Sequence, residues 1–190
     1  SLRINDRAGQ PMIRAGRLTA RIEPLPLLEG KVSLSSAQLF GASLLFYQAT
    51  PESKPNFQFA LDALASEDTT QHKPFYLHIG SVIVRNVSAE WHQMYKPQKP
   101  SGVMDMAHLR LTGISAYVRL NHLTDSTLSV DLRRLAFRES SGLDVRKFSL
   151  VASITPSGAS VSNLTLLMPG SSICIDSLTA RYSSSGRLLT

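Results

Sequence analysis

Residues 108–182 decide the fold: HLRLTGISAYVRLNHLTDSTLSVDLRRLAFRESSGLDVRKFSLVASITPSGASVSNLTLLMPGSSICIDSLTARY. Apolar and polar residues alternate along this stretch with a period of two, which is typical of strands with one apolar and one polar face. Short turns divide it into predicted strands at 108–123, 126–138, 143–155, 159–168 and 171–182. The stretch therefore predicts a meander of long antiparallel strands.

The alternation changes phase once near the middle of each predicted strand. In the first strand, the apolar positions move from Leu109 and Leu111 to Ile114 and Ala116. Because side chains alternate between faces, an uncorrected slip of one residue would turn half of the strand inside out. An extra residue at the slip, a β-bulge, restores the facing and bends the strand. We therefore expect a mainly β fold, a long, bent antiparallel sheet that forms an amphipathic groove (a β-taco).

The inner face of this groove is predicted to carry the apolar residues of the five strands. Most of them are aliphatic, and a lining without convergent polar groups suits lipid acyl chains better than sugars or nucleotides. The predicted lining residues are Leu109, Leu111, Ile114, Ala116, Val118, Leu120, Leu128, Val130, Leu132, Leu135, Phe137, Val145, Phe148, Leu150, Val161, Leu164, Leu166, Ile173, Ile175 and Leu178.

One short α-helix is predicted over residues 57–65. Phe57, Leu61 and Leu64 recur at helical spacing there, and Asn56 is a suitable N-cap residue. We expect this helix to cap part of the groove with Phe57, Leu61 and Leu64.

The whole chain, 1–190, is predicted to be a single β-groove segment. Its first residues already alternate, as if a strand began before them, so we expect the segment to be excised from a longer protein. Strands are also predicted at 2–5, 12–22, 31–34 (followed by a turn at Ser35-Ser36) and 38–47, and as a pair at 75–87 and 89–95. The predicted parts are the first strands at 1–47, a loop-helix-loop at 48–74, a hairpin at 75–95, a linker or long hairpin tip at 96–107 and the meander at 108–182.

Composition excludes several classes of function. The net charge is +6, and a basic strand face is most simply a solvated one. Aromatic residues make up only 7% of the chain, so single-stranded nucleic acid would find few bases to stack on. The five histidines, at 72, 78, 92, 108 and 122, show no spacing of a metal site, and the single Cys174 forms no intrachain disulfide. No nucleophile or phosphate-loop motif occurs, so we expect no enzyme, no cofactor, no metal and no nucleic-acid partner.

The predicted apolar face is larger than the predicted helix can cover. Five strands about 4.8 Å apart and about 35–40 Å long present roughly 900 Å². A ten-residue helix, about 15 Å long and about 10 Å wide, covers roughly a sixth of that area. Soluble proteins do not expose several hundred Å² of contiguous apolar surface. The alternatives are a closed two-sheet sandwich, with or without carbohydrate-binding loops, a lipid-binding groove, or a module that receives strands of other proteins by β-augmentation.

Five short strings together resemble one protein family. The strings are PLLEGKV at 26–32, QLFG at 38–41, PNFQFALD at 55–62, FRESSGL at 137–143 and MPGS at 168–171. They are similar to the N-terminal periplasmic region of TamB and, more narrowly, to the TamB-like translocation and assembly module proteins of the Bacteroidetes type.

This resemblance implies a place and a role for the chain. It implies a segment of an AsmA-like, repeating β-groove protein in the periplasm, tethered to the inner membrane by a segment outside this chain. It also implies lipid transport between the membranes, outer-membrane biogenesis and protein secretion, without catalytic residues. The implied partners are phospholipid or another acyl-chain lipid, adjoining β-groove segments of the same chain, and an outer-membrane assembly partner reached through other regions.

Overall fold

The computed structural model describes residues 2–24, 32–59, 62, 77–123, 127–182 and 188–189. These residues form a single sheet of eleven strands. Two of these strands are very short, one of three residues and one of two. The strands are β1 (Leu2–Asn5), β2 (Pro11–Glu23), β3 (Val32–Gln48), β4 (Leu77–Ile79), β5 (Ser81–Gln93), β6 (His108–Leu123), β7 (Leu128–Glu139), β8 (Asp144–Thr155), β9 (Gly158–Met168), β10 (Ser171–Tyr182) and β11 (Leu188–Leu189).

The sheet is open and mostly antiparallel. Its strand order is β1-β2-β3-β5-β6-β7-β8-β9-β10-β11, with β4 paired to β3 beside the start of β5. Neighbouring strands are antiparallel, except that β3 runs parallel to β4 and β5. The part of the chain that the structure describes contains no second sheet, so a closed two-sheet sandwich is not its fold.

The predicted meander is confirmed. Strands β6 to β10 are consecutive antiparallel neighbours, and their bounds lie within a few residues of the predicted ones. The predicted phase slips coincide with extra residues in four of the five strands. In β6 the extra residue lies between Thr112 and Ser115, where Gly113 has φ 61°, and in β9 it lies at Asn163, where φ is 53°.

The slip in β10 is accommodated differently. Ile175 pairs with Leu164 and Leu178 pairs with Val161, so three steps along β10 match three steps along β9. The register therefore does not shift between these two strands. The phase slip in β10 lies directly opposite the bulge in β9, so the apolar residues of the two strands remain paired with each other.

The prediction of a turn at Ser35-Ser36 is wrong. The predicted strands 31–34 and 38–47 belong to one strand of 17 residues, β3. Ser36 pairs with Arg21, and Leu34 pairs with Ile22, so the ladder to β2 crosses the serines with one register shift. Serine favours turns only weakly, through local hydrogen bonds of its hydroxyl, so strand pairing can override that preference. Here β2 pairs with Ser36, and the parallel strands β4 and β5 pair with the flanking Leu34 and Ala37.

The prediction of a hairpin at 75–95 is also wrong. Residues 81–93 form one strand, and it does not pair with β4; both run parallel to β3, one after the other. The break falls at Gly80, whose N–H donates to the Leu34 carbonyl at 2.8 Å. A side chain at Gly80 would bring its Cβ within 2.9 Å of the Ser35 carbonyl oxygen. Parallel neighbours require a crossover of a dozen or more residues, and the segment after β3 is long enough to supply it.

The predicted helix lies mostly outside the described residues, which contain no complete helix. Leu61 and Leu64 are not described, whereas Gln58 and Phe59 have helical backbone. Asn56 has a different role from the predicted N-cap. Its N–H donates to the Tyr47 carbonyl, its Oδ1 accepts from the Tyr47 N–H at 3.1 Å, and its Nδ2 donates to the Leu45 carbonyl. Asn56 thus satisfies the edge of β3 beyond Leu44, where pairing with β2 ends.

The buried core is small. Ala15, Ala42 and Val87 form a cluster at 2–4% exposure across β2, β3 and β5. Leu39, Leu44, Val84 and Ile114 are half-buried against it. No large side chain in the described part of the chain is fully buried, as expected of a single layer.

Candidate functional site

The candidate site is one face of the sheet, here called the apolar face. Residues directly opposite each other in neighbouring strands point to the same face. Following these pairs gives a continuous row across eight strands, about 34 Å at the usual strand spacing. The row is Leu18, Leu39, Val84, Ala116, Leu135, Phe148, Leu166 and Ile173.

The strand pairings join predicted lining residues of neighbouring strands into further rows. In a second row, Val118 pairs with Leu132, which pairs with Leu150. A third row joins Leu120 and Val130 to β8, β9 and β10. The bulges restore the facing beyond each phase slip, so that Leu111 and Ile114, or Leu132 and Leu135, share the face.

The apolar face is most exposed toward its two lateral margins. Leu18 and Ile22 on β2 are 57% and 53% exposed, and Ile173 and Leu178 on β10 are 46% and 53% exposed. Single exposed leucine residues are common on protein surfaces, but a contiguous group of exposed apolar residues on paired strands is not. Within the described ranges, only one segment is seen to pack against this face.

That segment is the start of the predicted capping helix. The Phe57 ring lies edge-on to Phe46, with centroids 5.1 Å apart, and 6.3 Å from the Trp91 ring. Phe46 pairs with Trp91, and this pair continues to Leu109, so all three lie on the apolar face. Phe57 therefore packs on the apolar face at the end of the sheet where β3 and β5 terminate.

The opposite face, here called the polar face, carries the charges and hydroxyl groups. Ser129, Ser153, Ser160 and Thr179 form a row of directly paired residues. Three exposed arginines of β7 and β8 make ion pairs with Asp131 or Asp144 at 3.0–4.0 Å, namely Arg133, Arg138 and Arg146. Exposed pairs of this kind contribute little to stability, so this face is a solvated one.

A second polar cluster lies at the end of the β5–β6 hairpin. Nδ1 of His92 and Nδ1 of His108 are 3.2 Å apart. Nε2 of His92 is 3.0 Å from Oε2 of Glu90, and Arg110 is 3.4 Å from the same carboxylate. The His92 hydrogen bond and the Arg110 charge outweigh desolvation and lower the pKa of Glu90.

Sequence reasoning missed this pair of histidines because they are 16 residues apart. The signal was present, since His92 and His108 flank the segment predicted as a linker or hairpin tip. Once β5 and β6 pair as a hairpin, the register places them directly opposite each other.

The hairpin tip itself is held by Asp105. Its Oδ2 accepts the Lys99 N–H at 2.9 Å, and its Oδ1 accepts the Ala107 N–H at 3.0 Å. The bond from Lys99, opposed by desolvation and assisted by Ala107, lowers the pKa of Asp105. Together with a backbone bond between Gln93 and Ala107, this fixes the loop beside the two histidines.

In the part of the chain that the structure describes, no three or more His, Cys, Asp or Glu side chains are grouped to hold a metal ion. No helix among those residues is both long and apolar enough to cross a membrane. Neither a protein family nor a curated protein matches this chain in sequence.

Proposed function

We propose that the chain is a non-enzymatic β-groove segment that holds lipid acyl chains on its apolar face. The observation that carries this proposal is the row of directly paired apolar residues that crosses eight strands from Leu18 to Ile173. A second sheet would cover such a face, but the described residues form only one sheet.

The chemistry of the face favours an acyl chain as its occupant. The paired rows contain aliphatic residues and Phe148, without a polar side chain that would fix one ligand orientation. Each CH₂ group removed from water contributes about 0.8 kcal/mol, so a sixteen-carbon chain gains on the order of 10 kcal/mol. A lining without fixed polar contacts lets the acyl chain slide, while the lipid headgroup stays in solvent beyond the edge of the apolar face.

The bulges support a bent sheet. Extra residues lie in four neighbouring strands, at Gly113 in β6, before Leu135 in β7, after Val145 in β8 and at Asn163 in β9. A bulge bends its strand and increases its twist. Aligned across neighbours, such bends turn a sheet into the groove that we propose.

The cellular role that we propose follows the resemblance of the five sequence strings to TamB-like translocation and assembly module proteins. In that role the segment lies in the periplasm, tethered to the inner membrane through a region outside this chain. It passes phospholipid along adjoining β-groove segments toward the outer membrane and its assembly partners.

The test uses two neighbouring positions on β10. Leu178 is on the apolar face and 53% exposed, whereas Thr179 is exposed on the polar face. We expect organic extracts of the purified chain to contain phospholipid by mass spectrometry. Leu178→Glu should remove most of that lipid, and Thr179→Glu should retain it, with both variants folded by circular dichroism. Equal lipid content in both variants, or none in the unmodified chain, contradicts the proposal.

A second candidate function, β-augmentation, is favoured by the edge at β2. β1 pairs only with residues 11–15, so residues 16–23 have no outer strand among the described residues. An incoming strand would bind there through backbone hydrogen bonds. Because this edge carries exposed Arg17 and Arg21, which deter pairing, acyl-chain binding remains the primary proposal. Leu178→Glu discriminates between the two, since it should spare partner binding at β2.

A further inference from the structure

His92 and His108 are placed so that two imidazole nitrogens meet. The two residues are direct partners in the β5–β6 ladder, and their Nδ1 atoms are 3.2 Å apart. The His92 side chain is only 15% exposed. The ring centroids are 5.4 Å apart and the ring planes are tilted by 45°.

The outer nitrogen of each ring has an acceptor. Nε2 of His108 lies 2.8 Å from the Lys96 carbonyl oxygen, which only accepts, so this nitrogen carries a hydrogen. Nε2 of His92 lies 3.0 Å from the Glu90 carboxylate, which accepts in the same way. In the neutral rings, both Nδ1 atoms therefore present lone pairs toward each other.

Two facing lone pairs repel unless a proton or a metal ion lies between them. Two nitrogen ligands of a tetrahedral Zn²⁺ at 2.0–2.1 Å are about 3.3 Å apart, close to the separation seen here. Histidine ligands of metals regularly donate their other ring N–H to a carboxylate or a backbone carbonyl, and Glu90 and Lys96 supply one of each.

From this geometry we infer that Nδ1 of His92 and Nδ1 of His108 bind a divalent metal ion of the Zn²⁺ class. Imidazole ligands suit Zn²⁺ and its neighbours among the transition metals. A cleft of about 150 Å³ beside the pair, lined also by Asp105 and Glu139, has room for water molecules at the remaining coordination positions. The ion would link β5 to β6 at the last pair of their ladder, next to the hairpin loop.

This site is independent of lipid binding, because it lies on the polar face. His92 pairs with Tyr47 on one side and His108 on the other, one position along from Trp91 of the apolar face. Failure of either proposal therefore leaves the other standing.

The experiment is a titration of the metal-free chain, residues 1–190, with zinc chloride by calorimetry and thermal unfolding. We expect saturable binding of about one ion per chain and a higher unfolding midpoint. X-ray absorption at the zinc edge should show imidazole nitrogens at about 2.0–2.1 Å.

Three variants and one control locate the ion. His92→Gln and His108→Gln should abolish the saturable step, and Glu90→Gln should weaken it about 10-fold or more. His122→Gln is the matched control, since it removes a histidine at the opposite end of β6 and should bind as the unmodified chain does. If a histidine variant does not fold, the Glu90→Gln variant and the absorption spectrum of the unmodified chain still test metal binding on folded protein.

Two results overturn the inference. The first is equal loss of binding in His122→Gln and His92→Gln, which means adventitious binding that does not depend on the histidine pair. The second is no saturable binding together with a strongly deshielded proton shared by the two Nδ1 atoms in ¹⁵N-resolved NMR spectra, which means that a proton occupies the position.

Discussion

The Tyr47 hydroxyl donates a 2.8 Å hydrogen bond to Oδ2 of Asp6, across 41 residues of sequence. The other oxygen of Asp6 accepts the N–H groups of Ala8 and Gln10, both at 2.9 Å. Desolvation acts against these bonds, but together they lower the pKa of Asp6, and the same contact raises the pKa of Tyr47. This contact ties the β1–β2 turn to the end of β3.

Tyr47→Phe should lower the free energy of unfolding by about 1–3 kcal/mol, because the Asp6 carboxylate loses the hydroxyl donor of Tyr47 while remaining buried. Urea unfolding followed by circular dichroism measures this change. Tyr95→Phe is the control, since its hydroxyl makes only a 3.4 Å bond to Gln48, and it should cost much less. Equal losses in the two variants would refute the assigned strength of the Asp6 contact.

Stability should decrease in acid through Asp6 and Glu139. The bond from the Ser141 hydroxyl, opposed by desolvation and assisted by the Ser141 N–H and Ser140, lowers the pKa of Glu139. A lowered folded pKa means that the unfolded chain binds protons more tightly, so stability rises with pH. The contribution is complete above the ordinary values of 3.8 and 4.5 and is lost as pH falls through the lower folded values.

Urea midpoints measured from pH 7 to pH 3 test this dependence. Glu139→Gln should be less stable at pH 7 and should show a shallower decline in acid, because it no longer takes up a proton on unfolding. A decline as steep as that of the unmodified chain would show that other carboxylates control it.

The bulge in β9 should tolerate glycine and reject a β-branched residue. Asn163 has φ 53°, a conformation that costs a β-branched residue about 1–2 kcal/mol. Asn163→Val should therefore destabilise the chain by about that amount in urea unfolding, and Asn163→Gly should be close to neutral. Ser160→Val, on extended backbone of the same strand, is the control and should be tolerated. Tolerance of valine at both positions would contradict the bulge.

Phe57 should stabilise the end of the apolar face. Phe57→Ala removes its ring from Phe46 and Trp91 and should cost about 1–2 kcal/mol, less than the 3–5 of a fully buried phenylalanine because Phe57 is half-buried. Trp91 is the only tryptophan, so its fluorescence should shift to the red. Phe59→Ala is the control, since its ring lies beneath Arg7, and it should leave the emission unchanged. An unshifted spectrum in Phe57→Ala would contradict this packing.

Much of the meander was predictable because its signals are local. Alternation along 108–182 marks the strands, and each phase slip, such as that between Leu132 and Leu135, marks a place where one more residue is needed to keep the facing. These are properties of neighbouring residues in one strand, so they need no knowledge of its partners.

The errors arose where the outcome depended on partners. Ser35 and Ser36 resemble a turn in isolation, but pairing of Ser36 with β2 and of the flanking Leu34 and Ala37 with β4 and β5 keeps them in β3. Asn56 resembles a helix cap, but the open edge of β3 takes its side chain.

The sequence by itself determined that this protein has long strands with one apolar face, because the side-chain period of two is a property of the strand alone. Only the tertiary structure decided that β3 and β5 are parallel neighbours and that His92 meets His108. Pairing joins residues far apart in the chain, and local pattern does not specify which backbone edges meet.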